Sequence, residues 1–367
     1  MSDGLSGVSA LTAGGADVKV WGMTSGARLS RTYSRLGLTE GVAQTGATVV
    51  LSGAHVFDEA VVRALAARPG VVVVDAEGAA AAAHVPAKDA EATAAALVTG
   101  ASVAGERLNA TALAGAYNAA LRKREPPILE RLTADTVRAV EKRLFQGSYK
   151  GVTDLVTKHV WPAPARVVTR WCALAGITPN QVTFASLILV LVTMGLFWIG
   201  EFGWGLVCAW AMTFLDTVDG KLARVTLNAS PLGNVFDHGI DLIHPPFWWW
   251  AWVVGVQAAG PPLWQPALVL GVIVGGYVVQ RILEGAFLGA FKVEMHAWRP
   301  FDSWFRQITA RRNPNLILLT AATLFGRPDL GILAVAIWTA ASLLVHLIQI
   351  VQAAVSPRGS ITSWLAR

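Results

Sequence analysis

Apolar residues crowd the chain from Val182 to Val355 in long runs, whereas residues 1–170 mix short apolar stretches with most of the charge. A helix needs about 20 apolar residues to cross a bilayer core. Six segments meet or approach that length: Val182–Gly200, Phe202–Leu222, Val235–Gln257, Leu263–Leu288, Leu316–Phe325 with its flanks, and Leu330–Val355. The third carries Phe247–Trp250 and Trp252, about 20 Å from its first residues at 1.5 Å per residue; the pattern predicts an aromatic belt at the far interface. Ahead of the spans, Ala163–Leu174 has the spacing of an amphipathic helix lying in the interface, with Pro162 and Pro164 near its start.

The first part of the chain alternates differently. Ala47–Leu51 and Gly70–Asp75 are β-branched runs flanking a helical His55–Ala67, which predicts a small parallel α/β domain of Rossmann-like type. Ala79–Ala83 and Ala90–Ala96 read as helix formers, and Leu113–Arg124 and Ile128–Phe145 as two helices broken by Pro126 and Pro127. The resulting division is a cytoplasmic α/β domain over residues 1–140, a linker with the interfacial helix over 141–176, and a six-helix membrane domain over 177–367.

Charge fixes the expected orientation. The connections after the first, third and fifth spans hold Arg327 and no lysine, while those after the second and fourth hold Lys221, Arg224, Lys292, Arg299, Arg306, Arg311 and Arg312. The positive-inside rule then puts both termini on the cytoplasmic side of an inner or plasma membrane. The net charge of +6 sits beside the spans, at Arg122–Arg131, Arg138–Lys158, Arg166–Arg170 and Lys292–Arg312. That pattern suits an anionic leaflet and argues against nucleic acid. The start MSDGLSGVSALTAGG lacks the layout of a signal peptide, and Cys172 and Cys208 show no pairing or metal spacing.

The candidate chemistry lies between the second and third spans. Carboxylates beside a membrane span are costly and mark function. Asp216, Asp219, Gly220 and Ala223 share one helix face, and Gly233, Asp237 and Asp241 share another. An antiparallel turn through Val225–Leu232 brings the two faces together at the cytoplasmic surface. Four adjacent carboxylates need compensating charge, and an all-oxygen donor set selects hard divalent ions. Small residues on those faces leave room for a ligand, although each glycine taken alone serves close helix packing equally well. Arg224 suits bidentate phosphate binding as well as interfacial snorkelling. Arg281 and Glu284, one turn apart, are expected to pair or to line an acceptor pocket, and His346 to be a packing residue. Intramembrane charge also admits a second class, a cation-coupled transporter.

The pattern D-x2-D-G-x2-A-R-x8-G-x3-D-x3-D, filled by Asp216, Asp219, Gly220, Ala223, Arg224, Gly233, Asp237 and Asp241, resembles the signature of the CDP-alcohol phosphotransferase family. Thr178-Pro179-Asn180 with Thr183 is similar to that family's entry segment. The resemblance implies transfer of the substituted phosphate of a CDP-alcohol to an acceptor hydroxyl with release of CMP. It implies two divalent cations, Mg²⁺ or Mn²⁺ (Ca²⁺ also fits the site), on Asp216, Asp219, Asp237 and Asp241, with Asp241 also the general base. Gly220, Ala223, Arg224, Gly233, Pro179, Asn180 and Thr183 would cradle the CDP moiety. It also implies a homodimer within membrane lipid. CDP-diacylglycerol is the favoured donor and a polyol or polyol phosphate the acceptor, with Lys150, Arg299, Arg311 and Arg312 as candidate acceptor-phosphate ligands; a soluble CDP-polyol donor is the alternative.

Trp21–Leu29 faintly resembles the glycine-rich loop of sugar-phosphate nucleotidyltransferases, and Val49–Asp58 their later strand, with Ala54 where a metal-binding aspartate is expected. The layout looks like enzymes that fuse inositol-1-phosphate cytidylyltransferase to di-inositol-phosphate phosphate synthase. The irregular loop and missing aspartate imply an inactive N-terminal domain.

Overall fold

The computed structural model describes residues 7–43, 46–229, 231–357 and 359–366; the side chains of residues 231, 232, 234, 237 and 238 lie outside that description. In chain order the first elements are β1 (Val8–Ala13), α1 (Ser25–Leu36), β2 (Thr39–Glu40), β3 (Ala47–Ser52), β4 (His55–Phe57), α2 (Glu59–Ala66), β5 (Val71–Val74), β6 (Ala80–Pro86), α3 (Ala90–Thr99) and β7 (Glu106–Asn109). After these come α4 (Ala110–Ala114), β8 (Tyr117–Asn118), β9 (Lys123–Arg124), β10 (Leu129–Arg131) and α5 (Val137–Gly147). A π-helical turn, Val156–Val160, leads into α6 (Pro162–Leu174), α7 (Pro179–Trp198), α8 (Phe202–Val225), α9 (Pro231–Ala259), α10 (Pro266–Phe291), α11 (Pro300–Phe305), α12 (Arg312–Leu324) and α13 (Pro328–Val355).

The N-terminal sheet runs β2-β1-β3-β6-β5-β7. Strand side chains alternate between faces, and both faces are covered here. Val49, Leu51, Val71 and Val73 pack with Leu29, Tyr33, Val61 and Leu65 of α1 and α2. Val50, Val72 and Ala83 pack with Ala90 and Leu97 of α3. Burial on both sides explains why β5 is an unbroken valine run. The sheet is mixed, however. β6 is antiparallel to β3 and to β5, so the expected parallel pair is separated by an intervening strand.

That strand corrects the helical reading of Ala79–Ala83. Ala81, Ala82 and Ala83 are wholly buried in the sheet, where tertiary packing overrides alanine's helix propensity. The helix expected over Leu113–Arg124 is likewise absent. α4 stops at Ala114, Gly115 takes φ +72°, and the chain continues as the β8–β9 hairpin. Only the end of Ile128–Phe145 is helical, because Leu129–Arg131 pairs with β4. The division at residue 140 falls inside α5.

Helices α7, α8, α9, α10, α12 and α13 occupy the six apolar segments. Among the described residues, α7, α10 and α13 are long and apolar enough to cross a membrane. α12 has 13 residues, about 20 Å of helix, well short of a ~30 Å hydrocarbon core. The aromatic belt is also corrected. Trp248, Trp249 and Trp252 are wholly buried among Phe197, Met212 and Val256. Two of their indoles donate to carbonyls, Trp248 to Val190 O at 3.0 Å and Trp252 to Pro328 O at 3.1 Å. A buried indole N–H needs such a partner. Phe247 and Trp250 alone of that run face outward. α9 and α7 touch backbone to backbone at Gly255, where an added Cβ would lie 2.0 Å from Phe197 O.

α6 matches the expected amphipathic helix in position. Ala165, Thr169 and Cys172 are buried, and Val167, Trp171 and Leu174 lie 55–65% exposed beside Arg166 and Arg170. Apolar side chains held out in this way suit an acyl–headgroup boundary.

Candidate active site

The entry segment shapes one wall of the site. Thr178 caps α7 through a reciprocal pair with Gln181, and Pro179 takes the first helical position, where its missing N–H costs nothing. One turn on, the buried Thr183 hydroxyl donates to Asp219 Oδ2 at 2.7 Å. Asp219 is only 3% exposed, so this bond fixes its carboxylate in α8. Thr183 therefore sits behind the carboxylates as a positioning group, and neither it, Pro179 nor Asn180 lines the cavity.

Asp216 and Asp241 come from α8 and α9 and meet at one cation. Arg312, at the start of α12, donates through Nη2 to Asp216 Oδ2 and through Nη1 to Asp241 Oδ1, both at 2.5 Å. This planar fork spans two carboxylates from different helices. Asp237 lies one turn before Asp241 in α9, but its side chain is outside the described residues. Pro245 and Pro246 lie inside α9 and remove the donors that Asp241 O and Leu242 O would otherwise meet. The Tyr277 hydroxyl supplies one replacement, donating to Leu242 O at 2.9 Å.

These carboxylates open onto a cavity of about 390 Å³. Gly220 and Arg224 line it, as do Lys150, Arg311 and Arg312; Ala223 and Gly233 are not among its described lining residues. Arg299 must be removed from the acceptor set. It forms a bidentate pair with Asp302 at 2.9 Å, bonds Gln352, and stacks 4.0 Å from the Trp298 ring centre, away from the cavity.

Arg122 and Lys221, which no motif or spacing marked, line the same space, together with Arg306 and with Arg281, expected to pair with Glu284 or to line an acceptor pocket. Lys221 Nζ lies 3.5 Å over the Tyr149 ring, and Lys221 and Arg224 both reach Ser148 O, at 3.4 and 3.3 Å. Glu284 in α10 holds two of the cavity arginines, with Arg281 Nη2 at 2.7 Å and Arg311 Nη2 at 2.6 Å. The i, i+3 spacing of Arg281 and Glu284 announced their pairing. His296 and His346 approach the same carboxylate at 3.2 and 3.3 Å, a role no spacing signalled. The three side chains are close enough to offer ligands to one metal ion, but two guanidiniums already neutralise Glu284.

Asp154 braces the start of α12. It accepts from Val156 N, Thr157 N, the Thr157 hydroxyl and Asn313 Nδ2, at 2.8–3.1 Å. Burial alone would raise its pKa, but Arg306 and these bonds outweigh it and hold the carboxyl below its ordinary value. A depressed pKa adds stability above the ordinary carboxylate range, lost as pH falls through the folded value. Asp154→Ala is expected to cost about 1–3 kcal/mol by leaving buried donors unpaired. Thermal unfolding at neutral pH would show the deficit, and acidification would shrink it.

Residues 176–302 match the family model for CDP-alcohol phosphatidyltransferase. This segment belongs to that family. Cholinephosphotransferase 1 of Xenopus laevis is 32% identical over 127 residues, which make up 32% of this chain and 30% of that protein. Choline/ethanolaminephosphotransferase 2 of Arabidopsis thaliana is 29% identical over 123 residues, 30% of each chain. The chain thus spans less than a third of the length of these curated relatives. Among solved structures, phosphatidylinositol phosphate synthase of Mycobacterium tuberculosis with CDP-DAG bound is 18% identical, with a TM-score of 0.41 over 54% of this chain and 96% of that one. The same enzyme with manganese and citrate is 19% identical, with a TM-score of 0.41 and coverage of 54% and 92%. The CDP-alcohol phosphatidyltransferase domain contains the four aspartates, Thr183 and Glu284. Lys150, Arg311, Arg312 and His346 lie outside the matched segment.

Proposed function

We propose that the chain is a metal-dependent membrane CDP-alcohol phosphotransferase. It passes the substituted phosphate of a CDP-alcohol, CDP-diacylglycerol by preference, to a hydroxyl of a polyol phosphate and releases CMP in phospholipid synthesis. The observation that carries this reading is the meeting of Asp216 and Asp241 at one cavity whose remaining wall is strongly basic.

The donor set fits hard divalent ions. Asp216 and Asp241 present carboxylate oxygens to a shared positive centre, and Asp219 and Asp237 lie on the same helix faces. These four would hold two Mg²⁺ or Mn²⁺ ions, which supply charge neutralisation on pyrophosphate oxygens. Asp241 takes the proton from the acceptor hydroxyl as the bond to phosphorus forms and the bond to CMP breaks. Gly220 leaves backbone room for the donor, and Arg224 binds its phosphates. Lys150, Arg311 and Arg312 favour a phosphorylated acceptor over a neutral one, because each adds a charge-assisted contact. The family pattern further supports a six-helix membrane domain and pairing with a second copy, the charge distribution supports a cytoplasmic active site and termini, and the faint likeness of Trp21–Leu29 and Val49–Asp58 to nucleotidyltransferases supports an inactive domain of that type.

The test is CMP release by the purified protein in lipid nanodiscs against a panel of CDP-alcohols, with inositol 1-phosphate and inositol as acceptors. Release is expected with CDP-diacylglycerol and the phosphorylated acceptor, to vanish with EDTA, and to return with Mg²⁺ or Mn²⁺. Turnover only with a soluble CDP-polyol would move the donor assignment. Cation flux without nucleotide turnover would replace the enzyme with a transporter.

A further inference from the structure

The N-terminal sheet region meets the membrane domain at the aspartate hairpin through the segment whose glycine-rich pattern resembles a nucleotide loop. An α-helix ends with four carbonyls that lack intrahelical partners. At the end of α8 most of these are met locally. Leu227 takes a left-handed φ of +51°, Leu227 N donates to Arg224 O at 3.4 Å, and Asn228 N donates to Ala223 O at 2.9 Å. This is a Schellman closure built on leucine where glycine is usual. Thr226 N and its hydroxyl both return to Leu222 O. Val225 O and Thr226 O remain, and α1 supplies their donors. Arg28 Nη1 reaches Val225 O and Arg31 Nη1 reaches Thr226 O, each at 2.6 Å. Two guanidiniums also suit the negative end of a helix dipole.

The rest of the loop is committed to the same interface. Trp21 is buried with Phe145, Cys172, Val218, Leu222 and Val225. Its backbone N–H donates to Glu141 Oε1 at 2.9 Å, and the other oxygen of Glu141 accepts from Arg170 Nε at 3.0 Å. Gly22 lies so close to α6 that an added Cβ would stand 3.1 Å from Ala173 O. Arg28 is 6% exposed; burial lowers its pKa to about 10, which leaves it cationic at neutral pH.

We propose that Trp21–Arg31 is a clamp rather than a nucleotide loop: Arg28 and Arg31 complete the end of α8 and so fix the turn that sets Asp216 and Asp219 against α9. This rests on the transferase reading for its effect on activity, but not for its effect on the turn. Both are positioning residues, since neither lines the cavity.

Two measurements on the full-length protein in nanodiscs test it. Hydrogen exchange over residues 223–235 is expected to quicken about tenfold in Arg28→Ala/Arg31→Ala, the scale of losing hydrogen bonds from charged donors. The kcat for CMP release should fall by a similar factor with the KM for the CDP-alcohol unchanged, and Arg28→Lys should recover part of the loss. The exposed Arg31→Ala alone, which leaves the buried core intact, should show a smaller change of the same kind. Wild-type exchange in the double variant would overturn the clamp, as would altered exchange with unaltered kcat. A wild-type protein that releases no CMP from any donor would sink the transferase reading while the exchange result still judges the clamp.

Discussion

Asp241→Asn is expected to lower the kcat for CMP release by a factor of about 10³, within the range for removing a positioned general base. Asparagine keeps the size and a carbonyl oxygen, so the hydrogen bond from Arg312 survives and the fold is preserved. What it loses is the capacity to take the acceptor's proton and part of the negative charge that gathers cations. The KM for the donor should move far less than kcat. Steady-state CMP release over a range of donor and Mn²⁺ concentrations separates these terms. A variant whose whole deficit is recovered by raising Mn²⁺ would make Asp241 a ligand only, with the base elsewhere.

Arg311→Ala should raise the KM for a phosphorylated acceptor about 10- to 100-fold, the worth of one charged hydrogen bond. Arg311 lines the cavity and is aimed by Glu284 at 2.6 Å. Arg281 remains on Glu284 after the substitution, so the carboxylate is not stranded. The effect should be confined to acceptors carrying phosphate, with the donor KM and the response to unphosphorylated polyol near wild type. Competition between acceptor and inorganic phosphate gives the same information independently. Equal losses on both acceptors would assign Arg311 to the donor or to the fold.

The aspartate hairpin was legible because its chemistry is local. Asp216, Asp219 and Asp241 sit at helical spacings on two consecutive helices, and the short turn between those helices determines that their faces meet. Thr183 was legible as part of a motif but not in its role: only packing of α7 on α8 reveals that it holds Asp219. Arg312 lines the cavity as an acceptor ligand would, but it also bridges Asp241 and Asp216, which lie 71 and 96 residues earlier in the chain. No spacing rule reaches across that distance, and the same holds for His296 and His346 around Glu284.

In the N-terminal sheet region the difficulty was of another kind. Alanine favours helix in isolation, yet Ala80–Pro86 is the strand that fits between β3 and β5 because small side chains leave room for helices on both faces. The tryptophans of α9 misled for a related reason. Their count near one end suggested an interface, but the faces they occupy, and the carbonyls offered by Val190 and Pro328, draw Trp248 and Trp252 inward. The glycine-rich loop resembled a nucleotide site because glycine serves any close approach of backbone; here the approach is to α6.

The most direct test of the account is the position of bound manganese, located by its anomalous scattering in crystals of the protein grown with Mn²⁺ and a CDP-alcohol. The account predicts manganese within direct coordination distance of oxygens of Asp216, Asp219, Asp237 and Asp241, between the ranges of about 2.0–2.1 Å for Mg²⁺ and about 2.3–2.6 Å for Ca²⁺, with Arg312 displaced from at least one carboxylate. Manganese confined to Glu284, His296 and His346, with the Asp216–Arg312–Asp241 bridge intact, would contradict it.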